Sequence, residues 1–501
     1  MQINIENSEQ CEKYFSTIRQ IVEKQQLYAT KYLDFGIKII RVLCYTPEIA
    51  LFLDQQLPFV LKDDVDHFDA TIVFWKINDI KNLAHQLDDR FNPKINLRFR
   101  IDLLFSRQQY PDIMFFDQKF SSINPIIKLL MSENIVEAYD RNNHCCYYAV
   151  KNLEPEEFIK QGHLFVQQLN ILLKSDSTNL THGAVLGYSG QGVLLCARGQ
   201  RGKSTLTVHS LLNGCEYVSD DYQLLEKKSG NLYAYPLYSI ITLSPGMYCQ
   251  MYTDFNGKFC CNNARKDKYV FNISKYHNQF KTLYPIKLCL FPEIVSDQEP
   301  SIEPCSIQER GRAIVQFIHS TVMQMRDLND HTTISKLFNM IFELPFYKFN
   351  LSPDISKNTQ YLHKFLEGKP SLVLQQHKLP RFLLDITYDI ANVLDTQTNT
   401  FYSFNKFATR LYEMLLSGVS QKQIEQKLNS LKADFPVIMD EFEIFIQVLN
   451  QENLLSVQFD NYLGKDFLKL DFAKESEYKI SLSKFEENIT YDLIQKEKGK
   501  Q

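Results

Sequence analysis

Excess charge of either sign is nearly absent from this chain. Among 501 residues, 55 lysines and arginines stand against 59 aspartates and glutamates, a formal net charge of −4. A general binder of polyanions needs a concentrated basic face to displace counterions, so no nucleic-acid partner is expected. A long apolar run is missing too. The most apolar early stretch, 35–53, is interrupted by Lys38, Arg41, Pro47 and Glu48, which suits a packed domain better than a bilayer. The opening residues, MQINIENSEQCEKYFSTIRQ, carry early acids and no apolar core, so no secretory signal, no membrane association and a cytoplasmic location are expected. Cysteine occurs 11 times, yet never as Cys-x-x-Cys, and the nearest cluster, Cys249, Cys260 and Cys261, lacks the spacing that converges ligands on zinc. Ordinary reduced thiols are expected.

What is present is ample core material. A hydrophobic content of 44% with 13% aromatics fills packed interiors, and the length suits about three domains. Residues 1–165 mix patterns: 9–27 reads as helix, 70–75 and 113–116 as strands. No chemical motif emerges there, and His67, His85 and His144 are scattered in the manner of structural or surface histidines.

The chemistry gathers between 182 and 222. An apolar run at 192–197 breaks at Arg198-Gly199-Gln200-Arg201 and resumes as a helix-like stretch from Gly202-Lys203-Ser204-Thr205. A helix starting there aims unpaired N–H groups and its positive dipole end at the loop, which makes an anion site. In phosphate-loop logic Gly199, Gly202, Lys203, Ser204 and Thr205 surround the phosphates, with the lysine reaching them and the Ser204 hydroxyl on Mg²⁺. The pattern's first glycine is replaced by Ala197. Upstream, 182–186 reads as a strand that pairs with 192–197 through the turn Tyr188-Ser189-Gly190-Gln191. Downstream, Gly214 ends the helix and 216–219 is the next strand, ending in Asp220-Asp221. Seventeen positions separate Lys203 from Asp220, the size of a right-handed crossover, and ligands gather beyond the carboxyl ends of such strands. Taken singly, Gly-Lys-Ser-Thr is also a plain helix start, Asp-Asp a solvated strand end and His-Gly a turn.

His182-Gly183, the hairpin, the Gly-Lys-Ser and Val218-Ser219-Asp220-Asp221 occur in an order and spacing that resembles HPr kinase/phosphorylase. The resemblance implies a P-loop fold of the phosphoenolpyruvate carboxykinase type, ATP and Mg²⁺, and a serine acceptor. It further implies Asp220 as general base with His182 beside it, Ser204 and Asp221 on the metal, and Lys203 on the phosphates. The family's Glu-x-Arg-Gly signature is absent from the matching region 235–246, which puts HPr as acceptor and the reverse reaction in doubt. The pattern is closer to HPr-kinase-like proteins associated with modified peptides, including the lasso-peptide serine kinases.

Farther along, Arg265, Lys266 and Lys268 fit either a flap bringing cations to a triphosphate or a solvated loop. Residues 286–291 read as a buried strand closed by Pro292, 334–342 as a helix and 344–349 as a strand, with the kinase-like part ending near 368–370. Residues 380–456 resemble a PqqD-type domain, a small winged-helix-like module that holds the leader of a precursor peptide. Its hairpin turn is 395–399; Asn405 caps a helix to Leu416, Gly418 ends it, and helices over 420–431 and 436–449 follow. The segment 421–427 is mixed in charge, which favours peptide docking by strand addition over DNA binding.

The expected fold class is therefore α/β: a mixed α/β region (1–165), a kinase-like domain (166–370), a winged-helix-like module (380–456) and a charged, frayed tail (457–501). The expected activity is ATP-dependent phosphorylation of a serine in a peptide or small protein recruited by the last module. The alternative is a non-catalytic nucleotide-binding adaptor that presents a precursor peptide to a modifying complex. A homo-oligomer is compatible with either.

Overall fold

A computed structural model describes residues 8–58, 60–76, 114–117, 128–131, 135–140, 143–150, 163–199, 201–243, 261–262, 269–273, 276, 278–296, 298–325, 331–368, 379–387, 389–430, 436, 438–457, 482–485 and 490–491. The expected cations Arg265, Lys266 and Lys268, and also His85 and Gln200, lie outside the described residues.

The first region is built on an eight-stranded mixed sheet. At its centre Ala70–Lys76 runs parallel to both Ile39–Cys44 and Cys145–Val150. A strand flanked on both sides has its backbone satisfied and can be apolar throughout, and all six residues of Cys145–Val150 are buried. This core does not close on itself. Leu33, Ile72 and Phe74 share one apolar cluster with Leu180 and Leu224 of the following sheet and with Tyr238 of the connection that follows Pro236.

That second sheet carries the stretch around Gly202-Lys203-Ser204-Thr205. In chain order it uses β1 (Thr178–His182), β2 (Ala184–Tyr188), β3 (Gln191–Leu195), helix α1 (Lys203–Leu212), β4 (Glu216–Ser219), β5 (Tyr222–Lys228), β6 (Asn231–Pro236), β7 (Tyr284–Ile294), helix α2 (Ile307–Met325) and β8 (Phe346–Leu351). The spatial order is β4-β2-β3-β7-β6-β5-β1, with β8 parallel to the later half of β7. The hairpin between β2 and β3 is as the sequence predicts. Ser189 and Gly190 both take positive φ, 54° and 77°, the conformation whose twist matches paired strands. His182, however, is not the first residue of β2. It ends a separate strand, β1, which pairs with β5.

Pro292 does not close its strand either. The carbonyl of Leu290 accepts from Cys196 N–H, so the nitrogens of alternate residues 290 and 292 face β3. The paired part of β3 has ended by Leu195, and a proline there forfeits no ladder bond. β7 continues to Ile294 and pairs with β8.

Close approach explains one glycine. A methyl group at Gly192 would lie 2.0 Å from the Pro285 carbonyl oxygen and 2.8 Å from Tyr284 Cδ1. Gly192→Ala is expected to push β3 off β7 and destabilise the fold by about 1–3 kcal/mol, the usual cost of overpacking. Chemical denaturation monitored by circular dichroism measures this; an unshifted midpoint would contradict the packing account.

The last region opens with a strand that the sequence reading of 380–456 does not include. β9 (Phe382–Thr387) pairs with β10 (Ile390–Asp395), which pairs with β11 (Thr400–Phe404). Helices α3 (Lys406–Leu416), α4 (Gln421–Asn429) and α5 (Ile438–Gln451) follow. Asn405 accepts from Ala408 N–H, Ser420 and Gln423 form a capping box, and Gly418 ends α3 at φ 86°, each the local role its residue type favours. The tail, expected to be frayed, contributes two strands: β12 (Leu482–Phe485) pairs antiparallel with β11, and β13 (Thr490–Tyr491) pairs with β12.

Candidate functional site

The strand β3, seven connecting residues and α1 form the strand, loop and helix read from the sequence. Gly202 sits at the helix N-cap with φ 84°, a left-handed backbone that costs only glycine nothing. A side chain there would also meet Leu351 Cδ1 at 2.8 Å. Lys203, first residue of α1, is buried, and its amine donates to the carbonyls of Ala197 at 2.6 Å and Arg198 at 3.0 Å. The lysine thus ties the two ends of its own loop. Gly199 is exposed, and Ser204 and Thr205 are half-buried at the start of the helix.

The acids come to this loop through the sheet. β2 is antiparallel to both β3 and β4, so β3 and β4 run parallel and their carboxyl ends point the same way. Asp220 and Asp221 follow β4 at that end. The chain then crosses from β4 to β5, just as it crosses from β1 to β2 at His182 and Gly183. The two crossings touch: Gly183 N–H donates to the Asp221 carbonyl at 2.9 Å, and His182 pairs with Tyr222 across β1 and β5. A methyl group on Gly183 would sit 3.2 Å from the Leu195 carbonyl, the last residue of β3. His182, the two acids and the loop before Lys203 therefore share one end of one sheet.

Each acid is held differently. Asp220 is 1% exposed. Asp221 takes φ 65°, a conformation uncommon outside glycine and tolerated best by Asn and Asp, and its carboxylate accepts from Thr242 Oγ1 at 3.4 Å. Tyr217, fully buried on β4, reports their field: burial chiefly, then the negative charge of Asp220 and Asp221, pushes its hydroxyl well above the ordinary range. The His182 ring lies edge-on to Tyr222 at 5.4 Å, and its backbone N–H donates to Thr321 Oγ1 of α2 at 3.0 Å.

This donor set suits a nucleotide with magnesium. The start of α1 offers backbone N–H groups and one lysine to phosphates, while Ser204, Asp220 and Asp221 offer hydroxyl and carboxylate oxygen, the ligand type Mg²⁺ takes alongside phosphate oxygens and water. Among the described residues no three His, Cys, Asp or Glu side chains cluster as a metal cage, and a phosphate-bound Mg²⁺ needs none. Seven described cysteines are buried and form no disulfide. Among the described residues, no helix is long and apolar enough to cross a membrane.

Sequence reasoning missed the partners that hold the loop from outside. Arg198 N–H donates to Gln316 Oε1 on α2, and its guanidinium pairs with Asp385 on β9. Nothing in the local pattern around Gln316 or Asp385 signals a phosphate loop more than 100 positions away.

No family model matches the chain, and no curated protein matches it. Among solved structures, the Hpr(Ser) kinase/phosphatase from Coxiella burnetii aligns at 12% identity over 38% of this chain and 99% of that chain, with a TM-score of 0.23. At that TM-score a common fold does not follow, and the functional reading stands on the geometry of the site itself.

Proposed function

We propose that this chain is an ATP- and Mg²⁺-dependent kinase that phosphorylates a serine of a peptide or small protein. The observation that carries the reading is the convergence of the phosphate loop with His182, Asp220 and Asp221 at one sheet end, through the Gly183 contacts to Asp221 and Leu195. Phosphoryl transfer needs positioning and charge stabilisation more than covalent chemistry. In this reading Lys203 and the N–H groups of the loop hold the phosphates. Ser204 and Asp221 would hold Mg²⁺, which would supply charge neutralisation for the phosphate oxygens. Asp220 takes the hydroxyl proton of the acceptor serine while that oxygen bonds the γ-phosphorus and the bond to ADP breaks, and His182 stands beside it. The resemblance to HPr-kinase-like proteins of peptide modification is consistent with these roles.

The deciding experiment incubates the protein with Mg-ATP and a serine-containing peptide encoded beside its gene, followed by mass spectrometry. A mass gain of one phosphate on the peptide supports the kinase; nucleotide binding with neither ADP formed nor any phosphorylated product would instead favour the adaptor reading.

For recruitment we read the C-terminal region as a PqqD-like module whose acceptor segment adds to the edge of β11. That edge is occupied by the chain's own β12, over only four paired residues. An incoming strand offers the same main-chain hydrogen bonds, but it competes with a tethered occupant at high effective concentration. Ending the chain at Val457 is expected to tighten peptide binding about tenfold or more, measured by anisotropy of the labelled peptide. Unchanged or weaker binding would remove β11 as the docking edge.

A further inference from the structure

The residue that opens the phosphate loop is fastened from three directions. Arg198 N–H donates to Gln316 Oε1 at 3.3 Å, and its own carbonyl accepts from the Lys203 amine at 3.0 Å. Its guanidinium pairs with Asp385 Oδ2 at 3.3 Å and donates to the Thr387 carbonyl at 3.4 Å. The second layer is closed as well. Gln316 Nε2 donates to Asp385 Oδ1 at 2.9 Å, and Thr387 Oγ1 donates to the same carboxylate at 2.9 Å. Arg198, Gln316 and Asp385 are 7%, 2% and 1% exposed, so water does not screen the pair. Two of the three elements involved lie outside the strand, loop and helix: α2, and β9 of the C-terminal sheet. Apolar packing joins the same elements, since Leu383 on β9 and Phe401 on β11 belong to the cluster that holds Phe317 and Ile318 of α2.

We infer that Arg198 is a positioning residue, and that through its buried contact with Asp385 the C-terminal sheet sets the shape of the phosphate loop. The guanidinium donates to the Thr387 carbonyl and lies in ion-pair contact with the Asp385 carboxylate, which ties the position of Arg198 to that of β9. The loop carbonyls that receive Lys203 belong to Ala197 and to Arg198 itself, so moving Arg198 moves the lysine amine. β9 is thus a structural part of the nucleotide site, and binding at the loop and order in β9 are coupled reciprocally, as any two linked equilibria must be.

The inference rests on the reading of the loop as a nucleotide site, and the two fail differently. Amide hydrogen exchange is measured with and without Mg-ATP, together with the Kd for Mg-ATP, in the full chain and in the double variant Arg198→Met with Asp385→Leu. Replacing a buried ion pair by apolar residues of similar volume commonly preserves stability, so the variant separates positioning from folding. In the native chain Mg-ATP is expected to slow exchange in 382–387 as well as in 197–205. The double variant, at an unchanged melting temperature, is expected to show faster exchange in 197–205, to lose the effect in 382–387, and to bind Mg-ATP about 10- to 100-fold more weakly, the scale of a small misplacement of a binding group. Should the double variant not fold, Gln316→Met, which removes the bridging amide alone, is expected to act in the same direction. No slowing in 382–387 of the native chain, or a folded variant with native affinity and native loop exchange, overturns the inference. No binding of Mg-ATP by the native chain sinks the nucleotide reading instead.

Discussion

Asp220→Asn is expected to slow serine phosphorylation by about 10²- to 10⁴-fold, the contribution of a positioned general base, while the affinity for Mg-ATP changes little. The expectation follows from where the side chain sits. Asp220 is buried at the end of β4, and the crossing it belongs to is bonded to the neighbouring crossing through Gly183. An amide of the same shape fills the same space, so the backbone around the loop has no reason to move. It cannot, however, take a proton from serine, a poor nucleophile without a base. Single-turnover rates measured beside equilibrium nucleotide binding separate the two effects. A variant that transfers phosphate at the native rate would remove Asp220 from the role of base, and the adjacent Asp221 would be the next residue to test. A variant that fails to bind Mg-ATP would mean that Asp220 serves the metal instead.

Lys203→Ala is the second large expectation, and it combines two losses. On the kinase reading the amine stabilises charge on the transferring phosphate, and deleting one preorganised donor costs about 10²- to 10³-fold in rate. The structure adds a cost at rest. The amine donates to the carbonyls of Ala197 and Arg198, and leaving buried carbonyls without a donor costs about 1–3 kcal/mol. The loop should therefore loosen before any nucleotide arrives. Amide exchange across 197–205 in the absence of nucleotide reports the second loss, and turnover reports the first. Lys203→Arg keeps a charge and several donors, so it should recover part of the loop order; recovery of neither quantity would favour a purely local packing role.

Much of the candidate site is legible from local chemistry. Gly202 before Lys203 marks a helix start, Ser189-Gly190 marks a tight hairpin, and Asn405, Ser420 and Gly418 mark helix ends, because each feature depends on atoms within a few residues. The pairing of Asp220-Asp221 with the loop is also foreshadowed, since a strand, helix and strand of that length bring both carboxyl ends to one side. The assignment of His182 to the hairpin strand fails for an instructive reason. β1 and β2 are separated by Gly183 alone, and alternation of apolar residues cannot register a change of partner between one residue and the next.

What the sequence by itself determined is thus a set of short units: the strand, loop and helix around Gly202-Lys203, the paired acids, the capped helices of the last region, and an even charge balance. What only the tertiary structure decided is how distant units complete one another. The Arg198 contact to Thr387 spans 189 positions, Pro292 is accommodated because β3 stops beside it, and the tail strand β12 fills the edge of β11. Backbone hydrogen bonds between strands are nearly indifferent to side-chain identity, and a buried arginine will accept whichever carboxylate the packed sheets deliver. Those partners are chosen by the geometry of the assembled core, which no short stretch of sequence contains.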